Sequence, residues 1–191
     1  MICSGTQTSR FHCLFGENIM PTTMKWIAVA VGALVVLAAL WIGAAVYSRT
    51  PDSPEQALAA FYEEGRAEDQ LMDPLILAGS DVIPLLERDL ANPGMQRRRY
   101  AIGAMGNIGS KAALPILEKI LSASTEPDYI RCDALTAIAL IDRKEGLTAV
   151  KKFGKDAGCL AELHEDLNQR YDAWRDSVQR TYFDALLGRH G

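Results

Sequence analysis

The stretch RRYAIGAMGNIGSKAALPILEKIL, residues 98–121, decides how this chain folds, because each half of it has a copy nearby. Upstream, GSDVIPLLERDL (79–90) repeats the second half, GSKAALPILEKIL (109–121). Pro84, Leu85, Leu86, Glu87, Arg88 and Leu90 fall on Pro115, Ile116, Leu117, Glu118, Lys119 and Leu121, and the two prolines are 31 positions apart. Downstream, RCDALTAIALID (131–142) repeats the first half at an offset of 33, with Arg98, Ala101, Ala104, Met105 and Ile108 on Arg131, Ala134, Ala137, Ile138 and Ile141. Each Gly-Ser turn offers a serine that can cap a helix, and each proline suits a first turn, whose N–H groups have no helical acceptor. Small residues at 101, 104 and 106, and at 134, 137 and 139, let two antiparallel helices approach closely. A period in the low thirties with two helices per unit predicts an all-α fold, a short alpha-solenoid of stacked helical hairpins.

These residues resemble a known family. The run R-x-x-A-x-x-A-M-G-x-I-G from Arg98 to Gly109, followed by A-L-P-x-L from Ala113 to Leu117, is similar to the short HEAT repeats of the phycobilisome-lyase type. The resemblance covers about residues 70–155, as two clear copies and a degenerate first one. The unit at 129–153 departs from the pattern: Ala139 and Asp142 stand at the two glycine positions and Thr148 at the proline. The resemblance implies helical hairpins whose second helices line a concave, partner-binding surface.

Ahead of the repeats, no charged residue lies between Lys25 and Arg49, and WIAVAVGALVVLAALWIGAAVYS is almost wholly apolar. A helix of that length rises about 33 Å, which matches a hydrocarbon core of about 30 Å. The run is too long for the core of a cleaved signal peptide and no Ala-x-Ala site closes it, so the expectation is a single-pass signal anchor. Arg10, Lys25 and the amino terminus outweigh Arg49 and Arg66 in the positive-inside count. The N-terminus is therefore expected in the cytoplasm and the main domain outside it, in the periplasm if the chain is bacterial.

The chain divides into a short tail (1–25) expected to be disordered, a transmembrane helix (26–48), a linker with a capping helix (49–69), HEAT-like repeats (70–155) and a long amphipathic helix (156–191). Within the third of these segments Ser53, Pro54 and Gln56 form a helix-start signal. The last segment carries Leu160, Leu163, Leu167, Tyr171, Trp174, Val178, Tyr182 and Leu186 at steps of three and four. It reads as a cap on the final repeat or as an interaction helix.

A formal net charge of -4 and a pI near 5.4 argue against nucleic-acid binding, which needs a basic surface. Four cysteines form no CxxC pair; Cys132 and Cys159 could bridge in an oxidising compartment, or remain buried thiols. The three histidines are scattered, and no GxSxG, GxxxxGK[ST] or GxGxxG motif occurs, so no catalytic, cofactor-binding or metal-ligating residue is assigned. What remains is binding. The repeat alignment places Arg88, Lys119 and Lys152 at equivalent points on successive second helices, a ladder of cations for an acidic partner or simply a solvated face. Arg97 and Arg99 flank the structural Arg98 as further surface candidates. The leading expectation is a non-catalytic, membrane-tethered HEAT-repeat adaptor or scaffold for a protein or peptide. An enzyme or enzyme subunit of the lyase type, and a self-assembling membrane protein forming homo-oligomers, stand as alternatives.

Overall fold

The structure is a computed structural model that describes residues 22–153 and 158–188, apart from the side chains of residues 22–25, 69 and 158–161. Among the described residues every regular element is helical. The chain forms two compact units, Met1–Ala44 and Ala45–Gly191. Helix α1 (Thr22–Arg49) begins inside the segment read as a tail, and residues 1–21 of that tail lie outside the described residues. Its stretch Trp26–Arg49 is long and apolar enough to cross a membrane, and none of it is buried by the protein. Leu34, Val35 and Trp41 are all exposed. Such a surface is ordinarily covered, in a protein core or by an apolar surrounding.

In the second unit, α2 (Pro54–Tyr62) starts where the sequence signals it. Ser53 Oγ accepts from the Gln56 amide at 3.2 Å, while the Gln56 side chain accepts from the Asp52 amide, one residue before the cap. Six helices follow: α3 (Asp73–Ala78), α4 (Ile83–Leu90), α5 (Arg98–Ile108), α6 (Leu114–Ser122), α7 (Asp128–Ile141) and α8 (Arg143–Phe153). Helix α5 packs against α3 on one side and α7 on the other, and α6 and α8 pack against α7. Pro84 and Pro115 both occupy first turns. Gly109 takes the left-handed conformation (φ 72°) that ends α5, and Ser110 caps the following turn. The matching Ser80 makes no cap, because its turn runs directly on from α3. Fully buried Phe61, Leu75, Leu86, Ile102, Met105, Leu117, Leu135, Ile138 and Leu167 form one continuous core.

The two pattern arginines explain part of the repeat. Arg98 Nη1 donates to Leu90 O at 2.7 Å, and Arg131 Nε donates to Leu121 O at 2.9 Å. Leu90 and Leu121 are themselves matched residues at the ends of α4 and α6. Each arginine thus satisfies a carbonyl that the end of the preceding helix leaves without a partner.

Close approach is a second repeated device. A Cβ added to Gly106 would lie 2.7 Å from Ala137 Cα, so α5 and α7 meet almost backbone to backbone. One unit later Ala139 stands where the pattern has glycine, and the missing space is supplied from across the contact, since a Cβ on Gly146 of α8 would lie 2.7 Å from the Ala139 Cβ. Gly106→Ala is expected to destabilise the protein: overpacking costs about 1–3 kcal/mol against a helix-propensity gain of about 1. Gly103→Ala meets only the flexible Met72 Sδ and should cost less. Denaturation midpoints of the two variants check the order.

The segment 156–191 is not the single long helix its spacing suggested. It forms α9 (Gly158–Gln169), α10 (Tyr171–Val178) and α11 (Tyr182–Leu187). Arg170 leaves helical geometry (φ -135°, ψ 29°), Gln179 is extended, and Thr181 with Asp184 forms a reciprocal capping box that starts α11. The breaks let the segment turn along the array instead of projecting from it. Helix α9 packs on α8 and α7, Tyr171 Oη donates to Ala139 O of α7 at 3.1 Å, the Arg180 amide donates to Asn107 Oδ1 of α5 at 2.6 Å, and Arg180 holds Asp73 of α3. Helix α11 then packs on α3. The C-terminal segment is a strap that packs on α8 and α7 through α9 and then touches α5 and α3 in turn.

Candidate functional site

The strap lies on α8 and α7 and reaches α5 and α3, and an apolar depression lies between α4 and α6. Leu90, Ala91 and Pro93, from the end of α4 and the turn after it, face Pro115, Ile116, Lys119, Ile120 and Ala123 of and after α6 across a groove of about 480 Å³. Leu90 and Ile120 are buried floor, while Glu87 and Lys119 stand exposed at the edge. The groove exists because α6 is apolar on more than one face. Leu117, Ile120 and Leu121 enter the core, and Ile116, Ile120 and Ala123, at steps of four and three, continue around the helix to the opening.

One wall carries the most buried charge of this face. Arg98 Nη2 pairs with Glu126 Oε1 at 2.6 Å, with side chains only 8% and 13% exposed. Arg98 Nε is buried with no acceptor, the one such side-chain nitrogen or oxygen among the described residues. Arg98, Glu126 and Pro93 also border a second depression of about 320 Å³, lined further by Arg97, Arg99, Tyr100 and Tyr129. The two depressions therefore share a wall.

The structure distributes the sequence candidates unevenly. Lys119 lines the groove and has no ion-pair partner among the described residues. Arg88 is exposed on α4 with Nε 3.0 Å from Asp89, and Lys152 is exposed on α8 with its ammonium 5.0 Å from the Phe153 ring centre; neither lines the groove. Arg97 sits in the left-handed region (φ 58°) and turns its guanidinium to Phe61 O and Glu63 O, clamping the start of α5 to the end of α2. Arg99 makes a two-pronged pair with Asp133 at 2.6 and 3.1 Å and lies over the Tyr129 ring. Of the five, Lys119 keeps its charge open at an apolar groove. The sequence reading missed Glu126, Ile116 and Ile120. Only the apolar continuation around α6 could have signalled the last two.

Tyr62 lies outside the groove but gives the domain an alkaline signature. Burial, and then its hydrogen bond to Asp89 Oδ2 at 3.1 Å, push the Tyr62 phenol up to about 12. The folded state favours the neutral phenol. Its contribution is complete below the usual phenol pKa of about 10 and fades as pH rises from there through about 12. Tyr62→Phe should flatten the loss of stability over that window and remove the latest component of an ultraviolet tyrosinate titration. Tyr100 is raised in the same direction by its hydrogen bond to Glu68, so the titration keeps a smaller late component in the variant.

Cys132, on α7, is disulfide-bonded. Its bridge partner, and the side chain of Cys159, which the sequence offers as one possible partner, lie outside the described residues. Among the described residues no group of three or more His, Cys, Asp or Glu side chains could hold a metal ion. Fold and site together define, among the described residues, an all-helical protein with one helix long and apolar enough to span a membrane and a small domain with an open apolar groove. Comparisons with family models, curated proteins and solved structures found no match to this chain.

Proposed function

We propose that the chain is a non-catalytic adaptor, tethered to a membrane by α1, whose helical-repeat domain holds a protein or peptide partner in the α4–α6 groove. The observation that carries this reading is Lys119, a cation without an ion-pair partner among the described residues, at the edge of a groove floored by Leu90 and Ile120 and lined by Ile116. Apolar anchors in a pocket with charge at the rim are how short segments are recognised. The matching occupant places a branched or aromatic side chain between the helices and a carboxylate against Lys119. The side-by-side packing of α3, α5 and α7, with the arginine device at equivalent helix ends, supports a short HEAT-like solenoid.

The test reverses the charge and spoils the floor. Lys119→Glu with Ile116→Asp should lower capture of the natural partner in native membranes about tenfold or more while leaving the denaturation midpoint nearly unchanged. Arg88→Glu and Lys152→Glu should matter little. Equal losses from all three cations would favour the ladder over the groove, and unchanged capture in every variant would sink both.

We further propose that Cys132 bridges Cys159 and that the domain lies on the extracytoplasmic side. Disulfides persist in oxidising compartments, and α9, which carries Cys159, packs against α7. Intact cells treated with a membrane-impermeant reductant and alkylating reagent should label both cysteines. Protection of both until the cells are lysed would place the domain in the cytoplasm.

A further inference from the structure

Helix α11 has two apolar faces. Ala185 and Leu186 are buried with Ile76 and Leu77 of α3, and Val46, from the last turn of α1, packs on the same cluster. Phe183 and Leu187, four residues apart, share a different face and are 68% and 46% exposed, with Tyr182 beside them at 44%. An apolar pair left open on a six-residue helix, at the end of a strap otherwise well packed, calls for something to cover it.

The end of α1 says what that is. Arg49, the last residue of α1, donates from Nη1 to Leu186 O at 2.8 Å, and a Cβ on Gly188 would lie 2.8 Å from the same nitrogen. All of these residues belong to the one unit Ala45–Gly191. In a membrane-spanning helix the first charged residue after the apolar run sits at headgroup level, where exposed aromatics such as Tyr47 also settle. A guanidinium at that level brings the carbonyl it binds to the same level. From these contacts we propose that α11 is a second membrane contact, a short interfacial helix whose Phe183 and Leu187 enter the headgroup and upper acyl region while Ala185 and Leu186 hold the domain. The occupant of the open face is the lipid surface itself. This inference rests on the reading of α1 as a membrane span.

The experiment places a photoreactive phenylalanine analogue singly at Phe183, Leu187, Val35 and Tyr129 of the full chain in phosphatidylcholine–phosphatidylglycerol nanodiscs and reads lipid adducts by mass spectrometry. Val35 reports the span itself, and Tyr129, 56% exposed on α7, is the aqueous reference. Positions 183 and 187 should give lipid adducts at about tenfold or more the yield at 129, the contrast between interfacial insertion and water. In a chain also carrying Leu187→Asp the yield at 183 should fall, with the denaturation midpoint in detergent unchanged. Adducts at 35 with none at 183 and 187 would overturn the interfacial helix and leave the span standing. Absence at all three would overturn the span and with it this inference. Protein–protein adducts at 183 in place of lipid would show the face to be covered by a second chain, which also overturns it.

Discussion

Replacing Arg180 with alanine should destabilise the domain by about 3–5 kcal/mol, the usual consequence of stranding a buried charge. Arg180 meets both oxygens of Asp73, and each side chain of the pair is only 10% exposed. Asp73 opens α3 and, only 10% exposed, is left without its cation once the guanidinium is gone. Arg180 also anchors the strap through its backbone amide, which donates to Asn107 Oδ1. Removing the guanidinium therefore strands an anion and weakens one of the ties that carry the chain from α10 into α11. Combining Arg180→Met with Asp73→Leu should recover most of the loss, because a neutral pair leaves no buried charge. Urea denaturation of full-length protein in detergent, followed by circular dichroism, measures both. A single variant within about 0.5 kcal/mol of the parent, the range of ordinary surface substitutions, would show that the strap is not held there.

Arg98→Ala should have an effect of similar size, about 3–5 kcal/mol. The side chain caps α4 through Leu90 O and Asn92 O and neutralises the nearly buried Glu126, so three acceptors lose their donor together. Its repeat counterpart supplies the control. Arg131 caps Leu121 O in the same way, but its ionic partner Asp128 is 71% exposed and returns to water when the arginine is truncated. Arg131→Ala should thus cost only the net worth of a charged hydrogen bond, about 1.5–3 kcal/mol. The difference between two arginines in matched positions isolates the buried pair. Equal costs would mean that capping alone accounts for both.

Features that depend on neighbours in sequence were readable in advance. The apolar run of α1, the first-turn prolines of α4 and α6, the Gly-Ser turn between α5 and α6 and the role of Arg98 within the fold all leave local marks. What escaped depends on partners far along the chain. Spacing at three and four from Leu160 to Leu186 is equally consistent with one helix or with three in line, and the breaks at Arg170 and Gln179 carry neither proline nor glycine. Asp73 and Arg180 are 107 positions apart and neither looks unusual where it stands. The groove is a similar case. Lys119 stood out by its place in the repeat, but its difference from Arg88 and Lys152 lies in what surrounds it. Arg97 and Arg99 looked like free cations beside a structural one, whereas backbone carbonyls of α2 and the carboxylate of Asp133 occupy them.

The central claim, a tethered domain that takes a partner segment between α4 and α6, is tested most directly by a photoreactive residue in the groove. Placed at Ile116 of the full chain in native membranes, it should give a discrete protein adduct that Lys119→Glu diminishes and that the same probe at Lys144, exposed on α8, does not give. No adduct at Ile116, or the same adduct from both positions regardless of Lys119, would contradict it.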